Sequence, residues 1–344
     1  MKIFYLIPLV ISLILSLVLT PVVKNLSERL KIVDYPGGRK IHNKPTPLLG
    51  GAAIFLAFAI TTVILWLLGF IADSKISDLN VLAILAAGLV LIFGGYLDDK
   101  NNIKPLKQVI FPIVAIVIVL MSGIKIQFIT NPGGGVISFT PYVGTIIAFF
   151  WLLGMIYTTK LLDGLDGLVA GVTTIGSLII FLVSLAWDVP LSGTSILALT
   201  LAGASLGFLV FNFHPAKIFL GEGGSVFCGF MLGVLAIISG SKIATALLIM
   251  GIPILDVIWV VFKRVLTGRS PVSGDNHHLH FRLLNIGLTH RQAVLFLYLV
   301  TGFFGLSSIF LSSSGKVVAL IVMAVFMILL AFVLLAVYRI KHDK

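Results

Sequence analysis

Eleven separate apolar runs, most close to twenty residues long, constrain this chain more than any other feature of its sequence. They lie near 3–23, 49–72, 79–97, 106–123, 143–161, 167–187, 193–212, 225–240, 242–262, 293–312 and 316–338. A hydrocarbon core about 30 Å thick takes roughly 20 residues of α-helix, and a helix pairs its own backbone groups away from water. The runs near 143–161 and 225–240 are the weakest, being flanked or interrupted by glycine and polar residues. The expected fold is an all-α integral membrane protein of about eleven transmembrane helices, a single polytopic domain over 1–344 without internal repeats. Composition agrees: 11% of residues are charged, against about 25% in a soluble domain. The first run has the length of a signal peptide. Lys24 and Asn25 follow it in place of a small-residue cleavage site, so it is read as a retained first helix. The one cysteine, Cys228, excludes a disulfide framework and a cysteine-based zinc site.

A net charge of +11 in a soluble protein would suggest nucleic acid. Here membrane topology sorts the charge instead, and no nucleic-acid partner is expected. With the N-terminus outside, nineteen basic residues fall in inner segments and only Lys2, Lys75, Lys125, Lys242 and Lys316 in outer ones. Basic residues concentrate on the cytoplasmic side. This orients a multi-pass protein of the plasma (inner) membrane with the 24–48 and 263–292 connections in the cytoplasm. The outer segment Gln127 to Tyr142 holds Asn131-Pro132-Gly133-Gly134-Gly135 between β-prone stretches, which predicts a small extracytoplasmic hairpin.

Of the 13 carboxylates, Asp73, Asp78 and Asp188 fall outside, and Glu28, Asp34 and Asp343 sit in basic inner segments. The rest, Asp98, Asp99, Asp163, Asp166, Glu222, Asp256 and Asp275, all lie at or near cytoplasmic helix ends or in cytoplasmic loops. Ionisable groups at membrane depth are costly and mark functional sites.

Five segments carry the chemistry. Gly94-Gly95-Tyr96-Leu97-Asp98-Asp99 ends a helix in adjacent like charges, which suits a hard cation such as Mg²⁺; the ordinary alternative is a solvated helix end. Asp163 and Asp166, in Lys160-Leu161-Leu162-Asp163-Gly164-Leu165-Asp166-Gly167, share a face if the segment is helical; otherwise this is a turn. Phe211 to Ser225 carries Asn212 and then Gly221-Glu222-Gly223-Gly224 ahead of a helix, with glycines expected to leave the backbone around Glu222 free to shift. His277-His278-Leu279-His280-Phe281-Arg282 lies in a long inner loop as candidate metal or phosphate ligands, or as a solvated histidine cluster. Arg39-Lys40-Ile41-His42-Asn43-Lys44 is a basic loop that attracts anionic lipid, or a lipid phosphate substrate. Acidic ligands, basic clamps and glycine-rich backbone are the parts of phosphoryl transfer. No protein nucleophile motif is present, so the attacking oxygen is expected from the substrate.

In these segments the chain resembles the polyprenyl-phosphate N-acetylhexosamine-1-phosphate transferase family. The matching stretches are Arg39 to Gly51, Asp98-Asp99, Asp163 to Leu168, Pro215 to Ser225, Pro253 to Asp256, and His278 to Leu284. His278-Leu279-His280 is closer to the UDP-N-acetylglucosamine branch than to the muramoyl-pentapeptide branch, which is kept as the alternative. The resemblance implies transfer of HexNAc-1-phosphate from a UDP-sugar to undecaprenyl phosphate, with release of UMP. It implies Mg²⁺, with Mn²⁺ as a substitute, on Asp99, Asp166 and Glu222. Asp98, Asp99, Asp163 and Asp166 are the catalytic candidates. The substrate-binding candidates are Arg39, Lys40, His42, Lys107, Lys160 and Asn212, and in the histidine loop His277, His278, His280 and Arg282. Asp256 is either structural, pairing with Lys263 or Arg264, or part of the site. The partners expected are the two substrates and membrane lipid, with a homodimer among the assemblies left open. Tyr157 and Lys160 stand where the family has asparagines, Glu222 where it has aspartate, Leu48 where an arginine is common, and Phe281 where another histidine is found. A transporter is the rival class, but transporters keep their charges near the midplane.

Overall fold

The computed structural model describes residues 2–37, 44–71, 76–187, 191–240, 242–266, 268 and 278–342. After a short 3₁₀ turn, Lys2–Tyr5, come α1 (Leu6–Arg29), a two-residue pair β1 (Val33–Asp34) and β2 (Thr46–Pro47), α2 (Gly50–Leu67) and α3 (Asp78–Asn101). The short α4 (Pro105–Gln108) leads into α5 (Ile110–Met121), followed by β3 (Phe128–Thr130) and β4 (Val136–Ser138). Then follow α6 (Pro141–Leu162), α7 (Leu168–Trp187), α8 (Gly193–Asn212), α9 (Gly221–Ile238), α10 (Ile243–Leu266), α11 (Leu279–Asn285), α12 (His290–Phe310) and α13 (Ser313–His342).

Ten of these helices are long and apolar enough to cross a membrane. The eleventh expected run forms the shorter segment Pro105–Met121, split at Val109. The β3–β4 hairpin is antiparallel with Ile129 opposite Ile137, as expected. Helix starts follow local chemistry. Ser77 and Asn80 form a reciprocal capping box at α3, and Thr289 and Gln292 do so at α12. Thr140 with Pro141 at the first position opens α6. The outside of the bundle is apolar, with Leu67, Met121 and Phe310 exposed, as hydrocarbon surroundings require.

Lipid tails are as apolar as leucine, so helices in a bilayer associate through close packing of small residues. The α1–α8 contact shows this: Ser16 Oγ donates to the Ala204 carbonyl at 2.7 Å, and a Cβ on Gly203 would lie 2.2 Å from Ser12 Oγ. α9 is the central helix. Every residue of it except Glu222 is buried. At its first turn, a Cβ on Gly51 of α2 would lie 2.2 Å from Gly224 Cα, and one on Gly95 of α3 would lie 2.1 Å from Gly223 Cα. Backbone therefore meets backbone among α2, α3 and α9. This corrects two expectations. The helix starts at Gly221 rather than near 225, and the glycines beside Glu222 clamp its backbone instead of freeing it.

Candidate active site

The ends of α3, α6 and α8 and the starts of α2, α7, α9 and α12 gather at one end of the bundle around a cleft of about 690 Å³. Two loops brace its rim. The Phe219 amide donates to the Pro47 carbonyl at 2.7 Å, and the Gly51 amide donates to the Leu220 carbonyl at 2.7 Å. Asp99, Lys160, Asp163, Asp166, Asn212 and Glu222 all line the cleft, so chain segments more than a hundred residues apart meet there.

The aspartate pair divides. Asp98 accepts from the Ile103 amide at 2.8 Å and from Gln108 Nε2 at 2.9 Å, and it closes the turn after α3. Asp99 faces the cleft, and both of its oxygens lie 3.2 Å from the Glu222 amide nitrogen, which they cap. Asp163 and Asp166 are not on one helical face. α6 stops at Leu162, and the two glycines turn the chain into α7. Asp163 opens on the cleft. The surrounding cleft walls, then the charges of Glu222 and Asp166, push its pKa upward although the side chain itself stays open to the cleft. Asp166 Oδ2 lies 2.7 Å from His214 Nδ1 and accepts from the Ala216 amide at 3.1 Å. The His214 and His290 rings stack 4.1 Å apart. Among the described residues, Asp166, His214 and His290 are the group whose ligand atoms all lie within 4.8 Å of one another. Asp99, Asp166 and Glu222 do not form such a group.

Several expected substrate ligands stand elsewhere. Arg39, Lys40, His42 and His277 lie outside the described residues. Lys107 is exposed on α4, away from the cleft lining; its neighbour Gln108 turns inward instead. Arg282 faces a separate groove between α10, α11 and α13. Asn212 lines the cleft, but its amide braces the walls, accepting from the Gly167 amide and donating to the Ile218 carbonyl, both at 2.9 Å. The described histidines of the loop, His278 and His280, are not solvated. His278 is buried with Nδ1 2.8 Å from Asp256 Oδ2, and Asp256 Oδ1 accepts from the Leu279 amide at 2.9 Å. Asp256 is thus structural, with His278 as its partner. His280 is 1% exposed, and a Cβ on Gly164 would lie 2.2 Å from its Nε2. His280 supports the Asp163–Gly167 turn at Gly164, and the His278 ring stacks on that of His280 with centroids 5.6 Å apart.

Burial, then the neighbouring His278 and His290, lower the His280 pKa from 6.5 to about 3. The folded protein therefore keeps this ring neutral while the unfolded chain protonates it. Its contribution to stability is complete above about pH 6.5 and is lost as pH falls towards 3. The thermal-stability gap between the parent and His280→Gln in detergent is expected to narrow steadily from pH 7 to pH 5. A gap independent of pH would show that His280 does not titrate on unfolding.

Sequence reasoning gave no role to His214, His290 or Gln108, left Asp34 as an ordinary charge, and quoted Lys44 in the basic loop without naming it as a site residue, although Asp34 and Lys44 both line the cleft. His214 and Lys44 stood inside quoted motifs; the other three carry no local signal.

The fold and the cleft define a multi-span membrane protein whose polar site sits at one end of the helix bundle. Residues 81–240 match the profile described as glycosyl transferase family 4. A probable undecaprenyl-phosphate N-acetylglucosaminyl 1-phosphate transferase of Bacillus subtilis is 31% identical over 335 residues, covering 94% of this chain and 89% of that protein. A decaprenyl-phosphate N-acetylglucosaminephosphotransferase of Mycolicibacterium smegmatis is 32% identical over 321 residues, covering 86% and 79%. A phospho-N-acetylmuramoyl-pentapeptide-transferase of Bacillus licheniformis is 30% identical over 300 residues, covering 80% and 88%. The chain belongs to glycosyl transferase family 4.

Proposed function

We propose that this chain transfers N-acetylhexosamine 1-phosphate, with GlcNAc-1-phosphate as the preferred unit, from a UDP-sugar to undecaprenyl phosphate at the cytoplasmic membrane face, releasing UMP. The observation that carries this reading is convergence. Asp99, Lys160, Asp163, Asp166 and Glu222 share one cleft in a bundle similar over 94% of its length to a probable transferase of that kind. The greater coverage and the Leu279 between His278 and His280 favour GlcNAc over the muramoyl-pentapeptide donor.

In the reaction, an oxygen of the lipid phosphate attacks the sugar-bearing phosphorus of the donor. The new P–O bond forms as the bond from that phosphorus to the bridging oxygen breaks, and UMP leaves with the oxygen and its electron pair. The lipid phosphate is already anionic, so no side chain has to deprotonate a nucleophile. The cleft's work is to position two polyanions and offset their charge, which is where catalysis of phosphoryl transfer resides. Lys44 and Lys160 bring cationic groups to the lining.

The Mg²⁺ site expected on Asp99, Asp166 and Glu222 does not fit these side chains as they stand. Asp99 caps the Glu222 amide, Asp166 is held by His214 and the Ala216 amide, and Glu222 is ion-paired with Lys160.

The test is UMP release by the detergent-solubilised protein. Release is expected with UDP-GlcNAc only when undecaprenyl phosphate is present. Release with UDP-MurNAc-pentapeptide instead would move the chain to the other branch. Movement of solute across vesicles without any UMP would make it a transporter. The orientation has its own check. In intact cells an impermeant thiol reagent should reach Gly134→Cys and spare Ser273→Cys; the reverse pattern would place the cleft outside.

A further inference from the structure

Three positions that depart from the family pattern, Tyr157, Lys160 and Glu222, meet at one point in the fold. Lys160 Nζ is ion-paired with Glu222 Oε1 and donates to Gln108 Oε1 at 2.9 Å. It also lies 5.9 Å from the centre of the Tyr157 ring. Gln108 cannot turn over. Its Nε2 is committed to acceptors, both Asp98 oxygens at 2.9 Å and the Ile103 carbonyl at 2.8 Å, so its oxygen must face Lys160. On the other side, Asp99 holds the Glu222 backbone and Gly95 blocks the retreat of Gly223. A continuous chain from Asp98 through Gln108 and Lys160 to Glu222 therefore fixes the ammonium.

Lys160 and Glu222 keep about one-fifth of their side-chain surface open, 22% and 21%, and both line the cleft. An ammonium has three N–H donors. Two are engaged by Glu222 and Gln108, which leaves one for a ligand in the cleft. A divalent ion on Glu222 would have to displace this cation or sit beside it. Mg²⁺ also demands oxygen ligands at about 2.0–2.1 Å in near-octahedral order.

We infer that Lys160 is the built-in cation of this cleft: its ammonium takes the place of a divalent ion at Glu222 and offers its remaining N–H to the donor's phosphate. The three departures are then one compensated change. A longer carboxylate reaches a lysine, and the aromatic ring beside the lysine favours its charge. The phosphate half of the inference rests on the transferase reading; the cation half rests on the side-chain geometry.

The test uses full-length protein in detergent with Mn²⁺ as the probe, followed by electron paramagnetic resonance. Lys160→Asn, or Lys160→Gln if the first does not survive extraction, frees Glu222 and should tighten Mn²⁺ binding at least tenfold over the parent. Lys160→Asn with Glu222→Gln should return to the parental affinity, and Lys160→Arg should never leave it. Unchanged binding in Lys160→Asn would overturn the assignment, as would a gain that survives Glu222→Gln. In the activity arm, chelating divalent ions should lower UMP release less than tenfold in the parent and more than a hundredfold in Lys160→Asn. Complete loss in the parent on chelation would also overturn it. Absence of UMP release from every form would count against the transferase reading, and the Mn²⁺ comparison would still decide the cation.

Discussion

Asp99→Asn is expected to lower turnover roughly a hundredfold or more, the scale on which one preorganised electrostatic group acts, while the chain still inserts and folds. Asn keeps the size of the side chain and removes its charge at the mouth of the cleft. The same carboxylate caps the Glu222 amide at the start of α9, so a structural cost is also expected. A charge at a helix N-terminus contributes about 0.3–1 kcal/mol, up to about 2 when partly buried. The two contributions separate in one preparation: melting reports the cap, and UMP release corrected for folded protein reports the charge in the cleft. Asp98→Asn supplies the contrast. Asp98 is turned away to the Ile103 amide and Gln108, so its loss should act through Lys160 and be smaller. Near-normal turnover in Asp99→Asn would reduce Asp99 to a helix cap.

Gly95→Ala should be strongly damaging, because the added methyl group meets backbone. The new Cβ would lie 2.1 Å from both the Gly223 Cα and its nitrogen. Backbone cannot swing aside as a side chain can, so α3 and α9 must separate. Overpacking a core costs about 1–3 kcal/mol even when side chains absorb it. Separation here would also pull Asp99 away from the start of α9. Early melting and loss of UMP release together are expected. Gly94→Ala, one residue earlier, would put its Cβ 2.2 Å from Phe111 Cγ and 2.6 Å from Phe111 Cβ, the fixed end of that side chain, so α5 must shift and this change should destabilise as well. Gly154→Ala meets nothing within 4 Å and should be neutral or stabilise α6 by about 0.5–1 kcal/mol, since glycine inside a helix is costly. Equal tolerance at 95 and 154 would contradict the backbone contact between α3 and α9.

Runs of apolar residues named the membrane helices, including the weak pair that became α6 and α9, and the Asn131–Gly135 turn named the hairpin. These features are local: hydrophobic length and turn residues act within a few neighbours. The carboxylates that line the cleft were legible for a related reason. In a chain this apolar each ionisable group is expensive, so its position along the sequence already carries information. Partners were not legible. His278 and His280 read as ligands or as a solvated cluster, and both are buried, His278 against Asp256 and His280 under Gly164. Asp166 read as a metal ligand, and it is held by His214, which lies 48 residues on. The glycines around Glu222 read as slack and act as a clamp, because what glycine permits depends on what packs against it.

By itself the sequence determined that this chain lives in a bilayer and which few charged residues were candidates for the site. Water and hydrocarbon impose those outcomes on any chain of such composition, whatever its contacts. Only the tertiary structure decided which candidate faces the cleft and which is spent on the scaffold. That choice turns on distances between atoms far apart in sequence: Asp98 to Gln108, Lys160 to Glu222, Asn212 to Gly167. A carboxylate in a protein of low dielectric takes its role from the nearest donor or cation, and the nearest one is set by how the helices pack.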